Sequence, residues 1–223
     1  MKTYTPRVII FDWDGTLCDS IDLIVDCFKV AARRIDLAIP PDEKIRYTIG
    51  MDLPGAMNYL FGGLSPERTA EFVAAYREYY LTRVNELELF PGARDCLEHL
   101  RDEGTLLAIA TGKNRVGLDR VLRITDSEHF FQVTRCSDES GPKPAPGMVL
   151  HILSELELLP DQALVVGDTT HDLRMAAAAG CPGLAVSFGA HTEEALQAES
   201  PLGMLHDIRD LLPFLSELRQ AAP

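Results

Sequence analysis

Asp12 and Asp14 stand two residues apart directly behind the apolar run Val8-Ile9-Ile10-Phe11, with Gly15 and Thr16 after them. Two carboxylates at that spacing just past a strand can point into one crevice, although the chain is already turning there, and Gly15 lets it turn away without a Cβ clash. Alone, the pair also fits a turn or a solvated strand end. Three more polar clusters lie further along. Thr111-Gly112-Lys113-Asn114 offers a hydroxyl and backbone N–H groups at a helix start, an anion site, or equally an ordinary cap made by Thr111 or Asn114. Lys143 lies between prolines in Gly141-Pro142-Lys143-Pro144-Ala145-Pro146, so its backbone is stiff and its ammonium can be aimed; an exposed loop lysine is the alternative. Gly167-Asp168-Thr169-Thr170-His171-Asp172 places two carboxylates one turn apart at a helix start, where capping and the macrodipole could explain either. Together the clusters are more specific. Asp12, Asp14 and Asp168 supply the hard oxygen ligands that Mg²⁺ takes alongside water and substrate phosphate. Thr111, the amides of Gly112 and Lys113, and Lys143 suit phosphoryl oxygens. No zinc spacing, Walker A sequence or G-x-G-x-x-G motif competes. The six histidines are dispersed, and His171 reads as a surface or rim residue rather than a ligand.

The elements that must hold these clusters follow from periodicity. Arg7–Phe11, Leu106–Ala110 and Ala163–Val166 are short apolar runs of the kind buried on both faces of a parallel sheet, and each ends at a polar cluster. Shorter runs at Phe131–Val133 and Gly183–Val186 alternate with helical patterns at 92–103, 115–124, 147–158 and 171–179. That alternation predicts a doubly wound parallel α/β sheet, in which ligands bind outside the carboxyl ends of the strands. Between about Ser20 and Leu89 the rhythm breaks into consecutive helices, at 21–35, 42–49, 54–61 and 66–85, with breaks at Pro40-Pro41, Gly50 and Gly62-Gly63. This is too much for one crossover, so a helical subdomain is expected: residues 20–87 inserted into a core of 1–19 and 88–223.

The 223 residues suffice for a sizeable core, and 46% hydrophobic with 25% charged residues excludes disorder. A net charge of −13 repels a phosphate backbone or an anionic bilayer, so neither a nucleic acid polymer nor a membrane is an expected partner. No signal-peptide or membrane-spanning run is present, and five scattered cysteines without a C-x-x-C pair fit a reducing cytoplasm. The sequence assigns no oligomeric state.

In this order Asp12-Trp13-Asp14-Gly15-Thr16, Thr111-Gly112-Lys113, Lys143-Pro144 and Gly167-Asp168-Thr169-Thr170-His171-Asp172 resemble the four motifs of the haloacid dehalogenase superfamily. The insert resembles the cap of its phosphoglycolate phosphatase-like branch. The resemblance spans nearly the whole chain and implies a Mg²⁺-dependent phosphatase acting on a small phosphorylated metabolite. By it Asp12 is the nucleophile that forms an aspartyl-phosphate, and Asp14 protonates the leaving alkoxide and then activates water. Mg²⁺ is held by the Asp12 side chain, the Asp14 backbone carbonyl and Asp168. Thr111 and Lys143 stabilise the phosphoryl oxygens, Asp172 orients Lys143 or a metal-bound water, and Thr16 holds the Asp14 loop. Asp14 speaks against the dehalogenases and phosphonate hydrolases, which lack it, whereas a phosphomutase keeps it. A phospho-accepting signalling receiver is the alternative from another class, but its aspartate would follow an interior strand with no insert. Substrate choice is assigned to the cap turn, with Arg46 meeting an acidic tail and Gly50, Met51 and Leu53 beside it; Lys29 and Lys44 come next. The substrate itself is not legible.

Overall fold

Val8, Ile9, Ile10 and Phe11 are wholly buried, as a strand covered on both faces requires. They form β1 (Val8–Phe11) of a computed structural model that describes residues 4–220. Beside it run β2 (Leu106–Thr111), β3 (Val133–Cys136), β4 (Ala163–Gly167), β5 (Gly183–Val186) and β6 (Gly203–Leu205), all parallel in the order β3-β2-β1-β4-β5-β6. The order reverses at β1, so the crevice of the doubly wound sheet opens between the ends of β1 and β4. Phe11 is in register with both Ile109 and Val166. The residues just beyond, Asp12, Thr111 and Asp168, therefore emerge side by side.

Four helices intervene between β1 and β2: α1 (Ile21–Arg34), α2 (Asp42–Tyr47), α3 (Leu53–Phe61) and α4 (Pro66–Arg83). Then come α5 (Ala93–Asp102), α6 (Arg115–Ile124), α7 (Ser137–Ser140), α8 (Gly147–Glu155), α9 (Thr170–Ala178), α10 (Glu193–Ala198) and α11 (Leu211–Gln220). Alternate residues of β1 divide the core. Ile9 and Phe11 pack with Leu100 of α5, Leu118 of α6 and Leu211 of α11, while Val8 and Ile10 pack with Ile152 of α8 and Met175 of α9. Burying each such side chain contributes about 1.5–3 kcal/mol.

The inserted helices have a core of their own. Ile21, Ile24, Val25, Phe28 and Ala32 recur at helical spacing along α1 and meet Phe72 and Ala75 of α4, with the Phe28 and Phe72 rings 5.6 Å apart. The chain leaves and re-enters the sheet domain on paired strands: Asp19 N donates to Glu88 O (3.0 Å) and Phe90 N to Leu17 O (2.9 Å).

Two expectations need correction. The strand placed at Phe131–Val133 lies at Val133–Cys136: Phe131 turns inward against Trp13, rings 6.5 Å apart, and the edge strand carries the half-buried Thr134 and Arg135. β6, α7, α10 and α11 were also not expected; β6 has three residues, too few for a period to show. The five cysteines are free and buried, and among the described residues no helix is long and apolar enough to cross a membrane.

Candidate active site

Strand-like alternation continues past Phe11, sending Trp13 into the core and leaving Asp12 and Asp14 on the side of the crevice. The chain then turns at Gly15, whose φ of 78° and position suit no other residue: a Cβ there would sit 2.3 Å from Asp168 Oδ2. Thr16 Oγ1 donates to Asp168 Oδ1 (2.8 Å) and the Ala190 amide to Oδ2 (2.8 Å). Thr16 thus ties the turn that follows Asp14 to the fourth motif. At the start of α9, Asp172 Oδ2 accepts from the Thr169 amide (3.1 Å) and hydroxyl (2.6 Å). Its other oxygen faces Lys143, whose ammonium lies 2.6 Å from Asp172 Oδ1 and 2.7 Å from Asp12 Oδ1. Lys143 is therefore buried at the centre of the site, not exposed on a loop.

This pocket concentrates charge. Oxygens of Asp12, Asp168 and Asp172 lie within 4.8 Å of one another, and Lys143 is the cation that faces them. Burial alone would lower the Lys143 pKa, but Asp12 and Asp172 outweigh it and hold the ammonium above its usual range. Burial, then the neighbouring carboxylates, push Asp12 well above the carboxylate range, against the pull of Lys143. Asp168 is pushed up to about 7 by burial and by Asp172. Asp12 Oδ2 is buried without any hydrogen-bond partner, an expensive state for a carboxylate oxygen. An orphaned oxygen, excess negative charge and an all-oxygen donor set fit a hard dication such as Mg²⁺.

Asp14 also lines a cavity. Ser20 Oγ donates to its Oδ1 (2.5 Å), and the Lys113 ammonium sits 3.0 Å from Oδ2 and 3.5 Å from the Tyr80 hydroxyl of α4. Burial would lower the Lys113 pKa, but Asp14 and the tyrosines hold it well above its usual range. The cavity, about 660 Å³, lies between the inserted helices and the ends of the strands. The turn at Gly50-Met51 roofs it so closely that a Cβ on Gly112 would fall 2.5 Å from the carbonyl oxygens of both residues.

Residues 9–186 match the model of the family described as haloacid dehalogenase-like hydrolase. The chain belongs to that family. It falls in the phosphoglycolate phosphatase-like branch. It is 34% identical over 200 residues to the probable phosphatase IndB of Dickeya dadantii, covering 87% of this chain and 86% of that one. It is 31% identical over 222 residues to phosphoglycolate phosphatase of Pseudomonas putida, covering 93% and 79%. A solved hydrolase from Pseudomonas syringae superposes with a TM-score of 0.87 at 25% identity, covering 96% and 98%.

The haloacid dehalogenase-like motifs thus meet at one place, with departures from the sequence reading. Thr111 is buried at the site, and its hydroxyl accepts the Lys113 amide (3.2 Å), which leaves the hydroxyl proton uncommitted. The Lys113 side chain, not the amide, reaches the pocket. Arg46 is absent from the cavity wall and pairs at the surface with Asp22 (2.6 Å); Gly50, Met51 and Leu53 do line it. Lys29 pairs with Asp42 (2.6 Å). His171 is buried, contrary to the rim placement, because the end of α2 docks on it. Its Nε2 and that of His191 both lie against the Tyr47 carbonyl (2.9 and 3.1 Å), and the Tyr47 ring stacks on His191 at 5.2 Å. His191 Nδ1 accepts the Thr170 amide, so its proton is on Nε2, and burial lowers the pKa of both histidines. These two side chains clamp the insert to the sheet domain. A lone histidine in a loop carries no sequence signal for such a role; the burial of the α2 end supplies it.

Proposed function

We propose that this chain is a phosphatase that hydrolyses a small phosphomonoester through an aspartyl-phosphate on Asp12. The observation that carries the reading is the Asp12 carboxylate itself: one oxygen is held by Lys143 at 2.7 Å, and the other is buried without a hydrogen-bond partner. In the first half-reaction a bond forms from Asp12 to phosphorus as the ester P–O bond breaks, and Asp14 gives its proton to the leaving oxygen. Asp14 then takes a proton from water, which attacks phosphorus and releases Asp12 and phosphate. Ser20 and Lys113 hold the two Asp14 oxygens at 2.5 and 3.0 Å and keep that carboxyl aimed at the cavity.

Thr111, the Gly112 amide and Lys143 bind the phosphoryl oxygens. Mg²⁺, held by the Asp12 side chain, the Asp14 carbonyl and Asp168, would offset the charge between carboxylate and phosphate. Asp172 fixes Lys143, and Thr16 fixes Asp168. A core of 1–19 and 88–223 with a cap of 20–87 belongs to the same reading, the cap turn at Gly50, Met51 and Leu53 selecting the leaving group. The test is hydrolysis of p-nitrophenyl phosphate with and without Mg²⁺. Asp12→Asn should abolish turnover while the fold persists. Retention of more than a few per cent of activity, with deamidation excluded, sinks the proposal. Release of free phosphate, rather than transfer to a second hydroxyl of the substrate, separates hydrolase from phosphomutase.

A further inference from the structure

The cavity beside Asp14 has the size of a general small-molecule site, typically ~300–1,000 Å³, and a two-carbon leaving group would leave most of its 660 Å³ unfilled. Its wall is largely apolar. Phe28, Leu53, Val73, Tyr76 and Leu81 come from the insert and Val116 from α6 across the cleft. Val116 is 70% exposed and Leu81 47%, so both offer apolar surface to a ligand in the cavity they line.

Two cations line the same cavity, Arg77 on α4 and Arg120 on α6. Among the described residues neither forms an ion pair or a side-chain hydrogen bond. Their neighbours on the same helices do: Arg83 pairs with Asp26 and Glu86, and Arg115 with Asp119 and Glu139. None of the acidic side chains that line the cavity pairs with either arginine. Asp14 is held by Lys113 and Ser20, Asp52 caps α3 through the Gly55 amide (3.2 Å), and Asp138 accepts the Arg115 amide (3.2 Å). In a chain of net charge −13, two arginines without side-chain partners on either side of one cleft are the cations left to meet an anionic ligand.

We infer that the leaving group is an apolar or aromatic body carrying a second anionic group, which Arg77 and Arg120 hold while the body lies against Tyr76, Leu81 and Val116. Guanidinium forks suit a carboxylate or a second phosphate. The inference rests on the phosphatase reading and deepens it, since one arginine lies on the insert and the other on the sheet domain: such a substrate would draw the two together.

Four synthetic esters test it: 4-carboxyphenyl phosphate, 1,4-phenylene bisphosphate, the neutral isostere 4-carbamoylphenyl phosphate, and phosphoglycolate. The native enzyme should prefer at least one anionic aryl ester over the carbamoyl ester by about tenfold or more in kcat/KM, the scale of one charged hydrogen bond. Which anionic ester leads distinguishes carboxylate from phosphate. In Arg77→Met and Arg120→Met the preference should fall toward one, and Arg→Lys at either position should restore part of it. No preference in the native enzyme, an unchanged preference in both variants, or a higher kcat/KM for phosphoglycolate than for every aryl ester overturns the inference. Failure to hydrolyse any ester overturns the phosphatase reading itself, a result distinct from hydrolysis without preference.

Discussion

Replacing His191 by alanine should loosen the insert without dismantling the sheet. The side chain donates from Nε2 to the Tyr47 carbonyl at 3.1 Å, and its ring stacks on Tyr47 at 5.2 Å and 7°. A net hydrogen bond is worth about 1 kcal/mol and an aromatic contact about 0.5–1.5 kcal/mol, so closure should weaken by about 2 kcal/mol, roughly 30-fold in the closed-to-open ratio. His171 still holds the same carbonyl at 2.9 Å, which is why the clamp should weaken and not fail. Loss of the Nδ1 acceptor also strands the buried Thr170 amide, at about 1–3 kcal/mol of overall stability. Hydrogen exchange separates the two effects. Amides of residues 48–51 should exchange about 30-fold faster at a pH where folding remains complete, while those of the buried strands β1 and β4 change only by the global loss. Native-like exchange at 48–51 would refute the clamp, whatever happened to Tm.

Two further outcomes follow from the site. Asp168 titrates near 7 when folded, against about 3.9 for an unfolded aspartate, so without metal the folded state holds the extra proton and its contribution to stability falls as pH rises from about 4 through 7. Mg²⁺ requires the carboxylate, so the rise in Tm on adding saturating Mg²⁺ should be larger at about pH 8 than at about pH 6; an equal rise at both removes Asp168 from the metal site. Gly112→Ala brings a Cβ to 2.5 Å from the Gly50 and Met51 carbonyls, and backbone can relieve that only by lifting the turn. KM for substrates that touch the cap should rise about tenfold, and a native KM would show that the turn does not close on Gly112 during turnover.

Much of this architecture is legible in the chain because burial on both faces imposes continuous apolar runs, as in Val8–Phe11 and Ala163–Gly167, and because parallel crossovers put the polar residues after them at one edge. The amphipathic spacing of α1 likewise marks the insert. What the sequence hides depends on docking between distant segments. Arg46 looks like the cation of the cap turn until Asp22 is found beside it, and Lys113 contributes its side chain to Asp14 where its amide was expected to act. His171 reads as rim because nothing local announces that α2 ends on top of it. β6 is too short to show a period, and the edge strand β3 mixes apolar and polar residues as half-exposed edges do.

Covalent capture at Asp12 tests the central claim most directly. Asp14→Asn should still accept a phosphoryl group from a substrate with a good leaving group but release it slowly, because water activation is lost. Acid-quenched protein, digested and analysed by mass spectrometry, should then carry one phosphoryl group on the peptide containing Asp12, and the double variant with Asp12→Asn should carry none. Continued hydrolysis by Asp14→Asn with no phosphorylated Asp12 peptide, or with the label on another residue, would contradict the account.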